Sequence, residues 1–112
     1  MTGEIIMAIS ITTELLDGCV LALLTHEDYY GYALTQQVQE FTPVSESTMY
    51  PVLRRLKKEN WVITYDQPFQ GRNRRYYQIT ATGRQRLQEI QLDWQNYQST
   101  INRILGGTDD GK

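Results

Sequence analysis

Cysteine and histidine each occur once in this chain of 112 residues. A single thiol, Cys19, rules out an internal disulfide and fits a reducing compartment. It sits among Leu15, Leu16, Val20, Leu23 and Leu24, which makes it a buried core thiol rather than a nucleophile. His26, beside Glu27 and Asp28, has no second histidine or cysteine to build a metal site with, and no cofactor is expected. No apolar run approaches the ~20 residues needed to span a bilayer. The N-terminus also lacks a basic segment followed by a cleavable apolar one, so the chain is expected in the cytoplasm without a membrane partner. Catalytic constellations are missing too. Ser45 and Ser47 have no His/Asp context, no Gly-rich loop cradles a phosphate, and the carboxylates are scattered. An enzyme is not expected.

Basic charge, by contrast, is concentrated. The stretch Arg54 to Arg86 holds nine of the eleven basic residues against only Glu59 and Asp66, a local excess of +7. The remainder carries two basic and eleven acidic residues, −9, on a chain of net charge −2. A basic stripe on an acidic body is the electrostatic footprint of a polyanion-binding protein, nucleic acid above all. The bland reading of a charge run is a solvated face. These charges fall on a helix and a turn separately, which counts against it.

The length fits one domain. Apolar pairs at Leu15/Leu16, Cys19/Val20 and Leu23/Leu24 predict a helix over Ile11–Leu24, capped by Thr12 or Thr13, with Gly18 tolerated if another backbone packs close there. His26–Tyr30 reads as a loop. Gly31–Phe41 reads as a second helix with Leu34, Val38 and Phe41 on its core face, ended by Pro43. Ser45–Glu59 reads as a third. Trp61–Phe69 and Arg74–Thr80 alternate as two strands joined by a turn at Gln70–Asn73. Thr80 caps a final helix to Leu105, with Gly83 allowing a close helix approach, and 106–112 is a Gly/Asp-rich tail expected to be disordered.

Three helices followed by a two-stranded hairpin with an arginine-rich tip is the order of a winged helix-turn-helix, a mainly α (α+β) fold. On a helical wheel Met49, Val52, Leu53 and Leu56 cluster toward the core. Ser47, Pro51, Arg54 and Lys58 cluster outward, with Tyr50 at the flank. Small hydroxylic residues near the helix start suit base edges, and cations further along suit phosphates. Pro51 fits only if the helix begins close before it. At the hairpin tip Arg72, Arg74 and Arg75 beside Gly71 and Asn73 form a cationic loop of the kind that reaches backbone phosphate or a minor groove. The competing reading is a winged-helix module that binds protein without sequence-specific DNA contact.

Three segments carry a family resemblance: Tyr30-Gly31-Tyr32-Ala33-Leu34, then Ser47-Thr48-Met49-Tyr50-Pro51-Val52-Leu53-Arg54-Arg55-Leu56, then Gly71-Arg72-Asn73-Arg74-Arg75-Tyr76-Tyr77 running to Thr80-Ala81-Thr82-Gly83. In this combination the chain resembles the PadR family of bacterial transcriptional regulators, in register from about Leu15 to Trp94. Asn60 stands where the family usually has glycine, and asparagine tolerates the same left-handed backbone. Asn73 replaces a frequent wing proline. The resemblance implies a homodimeric repressor on a palindromic double-stranded operator. Tyr32, Ser47, Thr48, Tyr50, Pro51, Arg54, Lys58, Arg72, Arg74 and Arg75 are its candidate DNA contacts.

The final helix carries a second pattern. Leu87, Ile90, Trp94, Tyr97, Ile101 and Ile104 are spaced three, four, three, four, three, a heptad seam on a helix longer than a small domain needs for its own core. The seam is expected to pack on a second copy, with apolar Ile5 and Ile9 joining it. Residues 1–80 would then form the DNA-binding domain and 81–105 the dimerisation helix. Two readings of Trp94 stay open: plain interface filling, or, with Tyr97, a wall on which a small aromatic effector stacks. The resemblance implies the latter for some family members.

Overall fold

A computed structural model describes residues 10–106. The expected interface residues Ile5 and Ile9, and the tail beyond Gly106, lie outside them. The chain runs through α1 (Thr13–Leu24), β1 (Tyr29–Tyr30), α2 (Gly31–Gln39), α3 (Glu46–Lys58), β2 (Val62–Phe69), β3 (Arg72–Ile79) and α4 (Ala81–Ile101). A turn of π-helix, Asn102–Gly106, follows α4. This is a winged helix-turn-helix with a long C-terminal helix, and its core draws on every α-helix. Leu16, Val20, Leu21 and Leu24 of α1 meet Leu34 and Val38 of α2, Met49, Val52, Leu53 and Leu56 of α3, Val62 and Ile79 of the sheet, and Leu87 of α4. Each such side chain contributes about 1.5–3 kcal/mol by leaving water.

Local chemistry sets the boundaries. The Thr12 hydroxyl accepts from the Leu15 amide, Ser45 from Thr48 and Thr80 from Gly83, so three helices start at hydroxyl caps. Helix α3 ends where Asn60 turns left-handed, φ 63°. There the Trp61 amide donates to Leu56 O and the Asn60 amide to Lys57 O, the paired bonds of a Schellman cap. The Asn60 carbonyl in turn accepts from the Thr80 and Thr82 hydroxyls, tying the end of α3 to the start of α4. At Gly83 a Cβ would lie 2.1 Å from the Trp61 carbonyl oxygen, so only glycine lets α4 approach the backbone that leads into β2. At Gly18 a Cβ would stand 2.7 Å from the Ile90 side chain of α4, so the close neighbour there is a side chain rather than a backbone.

Several expectations need correction. His26–Tyr30 is not all loop: Tyr29 and Tyr30 pair antiparallel with Tyr77 and Tyr76, giving a three-stranded sheet of order β1-β3-β2. Two residues are too few to show a period. The hairpin loop is only Gln70 and Gly71, both at positive φ, as a two-residue hairpin turn requires. Phe69 therefore pairs with Arg72, and Arg72 and Asn73 belong to β3 rather than to a loose loop. Helix α2 stops at Gln39, so Phe41 leaves the helical face and is 55% exposed. Cys19 is half-buried rather than buried, and desolvation pushes its thiol pKa up, away from the reactive thiolate.

Candidate nucleic-acid interface

Helix α3 buries Met49, Val52, Leu53 and Leu56 and turns Ser47, Thr48, Tyr50, Pro51, Arg54 and Lys58 to solvent. The division follows the wheel. Near the helix start the hydroxyls are already organised: Ser45 Oγ lies 2.9 Å from Ser47 Oγ and donates to Thr48 Oγ1 at 3.1 Å. Arg54 lies over the Tyr50 ring, 5.0 Å from guanidinium carbon to centroid. Pro51 is well inside the helix rather than near its first residue, five positions after Glu46. Having no amide hydrogen, it leaves the Ser47 carbonyl without the usual intrahelical donor, on the exposed face.

The hairpin's two faces have different chemistry, since directly paired residues share a face. Tyr29, Val62, Tyr77 and Ile79 turn to the core. On the opposite face Tyr65 stacks on Tyr76 (centroids 5.5 Å apart), Tyr76 meets Tyr30 at 5.8 Å, and Tyr30 meets Tyr32 at 6.4 Å. Of the neighbours Tyr76 and Tyr77, the latter faces the core and the former this tyrosine row; neither is fully buried. Asp28 anchors the row by accepting from Tyr65 Oη at 2.5 Å and Gln78 Nε2 at 3.1 Å. That bond pushes the Tyr65 pKa up to about 12, because the phenolate would lose its acceptor and face a carboxylate. Further along, Arg74 lies 4.0 Å from the Tyr30 centroid and 3.5 Å from that of Phe69.

Between the start of α2 and the hairpin tip is an open cleft of about 740 Å³ lined by Tyr30, Gly31, Tyr32, Phe69, Arg72, Arg74 and Arg75, among others. Tyr30, at the cap position of α2, makes no side-chain cap bond, so the first α2 amides keep their partial positive charge. Tyr32, 56% exposed, stands at the rim. Cations, bare amides and aromatic rings together suit a phosphate chain.

The basic stretch is not uniformly available. Arg55 of α3 turns inward and pairs with Asp17 of α1, whose side chain is 4% exposed. Burial raises the Asp17 pKa despite the opposing pull of Arg55 and Arg86. Arg86 pairs with Glu89 at 3.1 Å and approaches Glu14 at 3.9 Å. Arg75 bonds Asp66 at 3.2 Å, but both partners are solvated, and such a pair is readily exchanged for a phosphate. Arg54, Lys57, Lys58, Arg72, Arg74 and Arg84 make no ion pair among the described residues. Sequence reading missed the Asp17–Arg55 pair, although an acid three and seven residues before the buried Val20 and Leu24 signalled it. It also missed Phe69, which read only as the end of a strand.

Along α4 the heptad seam divides. Leu87 and Ile90 are buried within the chain's own fold, Leu87 in the core and Ile90 against α1 at Gly18. Trp94 is 41% exposed, Tyr97 61% and Ile104 71%, with Ile101 half-buried. Trp94 and Tyr97 meet at 6.4 Å and line a cavity of about 360 Å³ together with Thr12, Glu14, Leu15, Arg86, Ile90 and Asp93. No helix among the described residues is long and apolar enough to cross a membrane.

Known proteins are similar to this chain in sequence and in fold. A transcriptional regulator of Mycobacterium tuberculosis is 32% identical over 81 residues, 71% of this chain and 73% of its own. A crystal structure from Streptococcus mutans superposes with a TM-score of 0.83 at 34% identity, over 93% of this chain and all of the other. That of a PadR-like transcriptional regulator from Bacillus cereus gives 0.75 at 35% identity, over 84% of this chain and 94% of the other. Residues 20–89, which hold α2, α3 and the whole wing, match the transcriptional regulator PadR-like family. With its exposed α3 face, arginine-bearing hairpin and long last helix, the chain belongs to this family of DNA-binding transcriptional regulators.

Proposed function

We propose that the protein is a repressor that binds a palindromic operator as a homodimer. Each subunit sets Ser47, Thr48, Tyr50, Pro51 and Arg54 at the major groove, with Lys58 and Tyr32 toward its flanks. Arg72, Arg74 and Arg75 lie along the adjacent backbone. The observation that carries this reading is the largely uncompensated cationic surface shared by α3 and the hairpin on an acidic chain. The exposed apolar positions Trp94, Tyr97 and Ile104, with half-buried Ile101, support a dimer through α4, while Leu87 and Ile90 serve the subunit's own packing. Selection from a pool of random duplexes tests it: two inverted half-sites are expected, and selected sequences without twofold symmetry would contradict the dimeric operator. Enrichment of no sequence at all would favour a protein-interaction module.

The cavity beside Trp94 favours one addition, release from the operator by a small aromatic effector stacked on Trp94 and Tyr97. Titrating planar dyes while following tryptophan emission checks it. Quenching is expected in the wild type and not in Trp94→Phe, which retains Trp61; quenching that persists in the variant moves the pocket elsewhere.

A further inference from the structure

We infer that Phe69 and Tyr30 form an aromatic clamp that presets Arg74 for a DNA phosphate, making Phe69 a positioning residue for DNA binding; the inference rests on the DNA-binding reading above. An arginine at a hairpin tip ordinarily samples many rotamers, and binding a phosphate has to freeze them. Two devices can hold it beforehand. A carboxylate fixes the guanidinium but neutralises it, which is the arrangement of neighbouring Arg75 with Asp66. An aromatic face fixes it and leaves the charge free. Arg74 has the second arrangement twice, 3.5 Å from the Phe69 centroid and 4.0 Å from that of Tyr30, with no carboxylate partner among the described residues.

The two rings come from different elements, and this gives the clamp its reach. Tyr30 stands at the N-terminal end of α2 and leans on Tyr76, which stacks on Tyr65. Phe69 is the last residue of β2, immediately before the turn. Arg74 therefore bridges the wing tip to the helix-turn-helix and is held at the cleft between them. Phe69 is 42% exposed and no part of the core, so its ring is free to serve the guanidinium.

A double-mutant cycle on one fixed duplex separates positioning from folding. Phe69→Leu should weaken binding about two- to tenfold for each subunit engaged, the cost of freezing one long side chain. The same change in an Arg74→Ala background should weaken it no further, and Phe69→Tyr should restore it. In the free protein the Arg74 side-chain NMR signals should be ring-shifted in the wild type, and Phe69→Leu should reduce that shift to at most the part due to Tyr30. Equal losses in both backgrounds, or no loss in the first, would overturn the clamp. A wild-type protein that binds no duplex overturns the functional reading itself, a result distinct from a cycle without coupling.

Discussion

Among single residues, Tyr65 shows how a side chain on the outer sheet face is tied to the rest of the fold. Its hydroxyl donates to Asp28, in the segment that leads into β1, and this bond raises its pKa from the ordinary 10.0 to about 12. A phenol whose folded pKa lies above its unfolded one contributes stability that is complete below pH 10 or so. That contribution is lost as pH climbs through roughly 10 to 12, since the unfolded chain gives up its proton first. The difference between the alkaline absorbance titrations of wild type and Tyr65→Phe should therefore show one late-ionising tyrosine. The stability gap between the two proteins should also shrink over that window. A difference curve centred at the ordinary tyrosine value would contradict the Asp28 bond. Tyr65 and Asp28 stand 37 positions apart, and nothing in their local patterns pairs them.

Elements were more legible than contacts. The four helices and both long strands follow from apolar spacing, hydroxyl caps and a Gly-containing turn, signals that act within a few residues. Helix α3 was readable down to its faces because buried Met49, Val52, Leu53 and Leu56 and outward Ser47, Pro51, Arg54 and Lys58 obey one period. What escaped was non-local or too short: the two-residue β1, the Asp17–Arg55 pair joining α1 to α3, and the rings around Arg74. The end of α3 lends itself to test. Asn60 holds φ 63°, so Asn60→Val should destabilise the fold by about 1–2 kcal/mol, the penalty of a left-handed β-branched residue. Asn60→Gly should stay near the wild type. Urea unfolding midpoints measure both, and a valine variant with an unshifted midpoint would refute the strain.

For the whole molecule, two features agree with each other: charge is gathered on the α3 and hairpin side, and the second half of α4 and the turn after it leave Trp94, Tyr97, Ile104 and Leu105 exposed. The first fits a polyanion and the second a second copy of the chain, and a twofold operator requires both at once. Ile104→Asp, or Ile101→Asp, should leave the fold intact and shift sedimentation from dimer to monomer, with operator affinity falling because half-sites are no longer held together. A monomeric wild type at micromolar concentration would remove the basis for that expectation. The central claim, that α3 and the arginine hairpin together grip DNA, is tested most directly by the salt dependence of binding to one duplex. Wild type is compared with a variant carrying Arg72→Ala, Arg74→Ala and Arg75→Ala. The account predicts weaker binding to every sequence and a log–log slope shallower by about 0.9 for each phosphate contact removed. An unchanged affinity with an unchanged slope would contradict it.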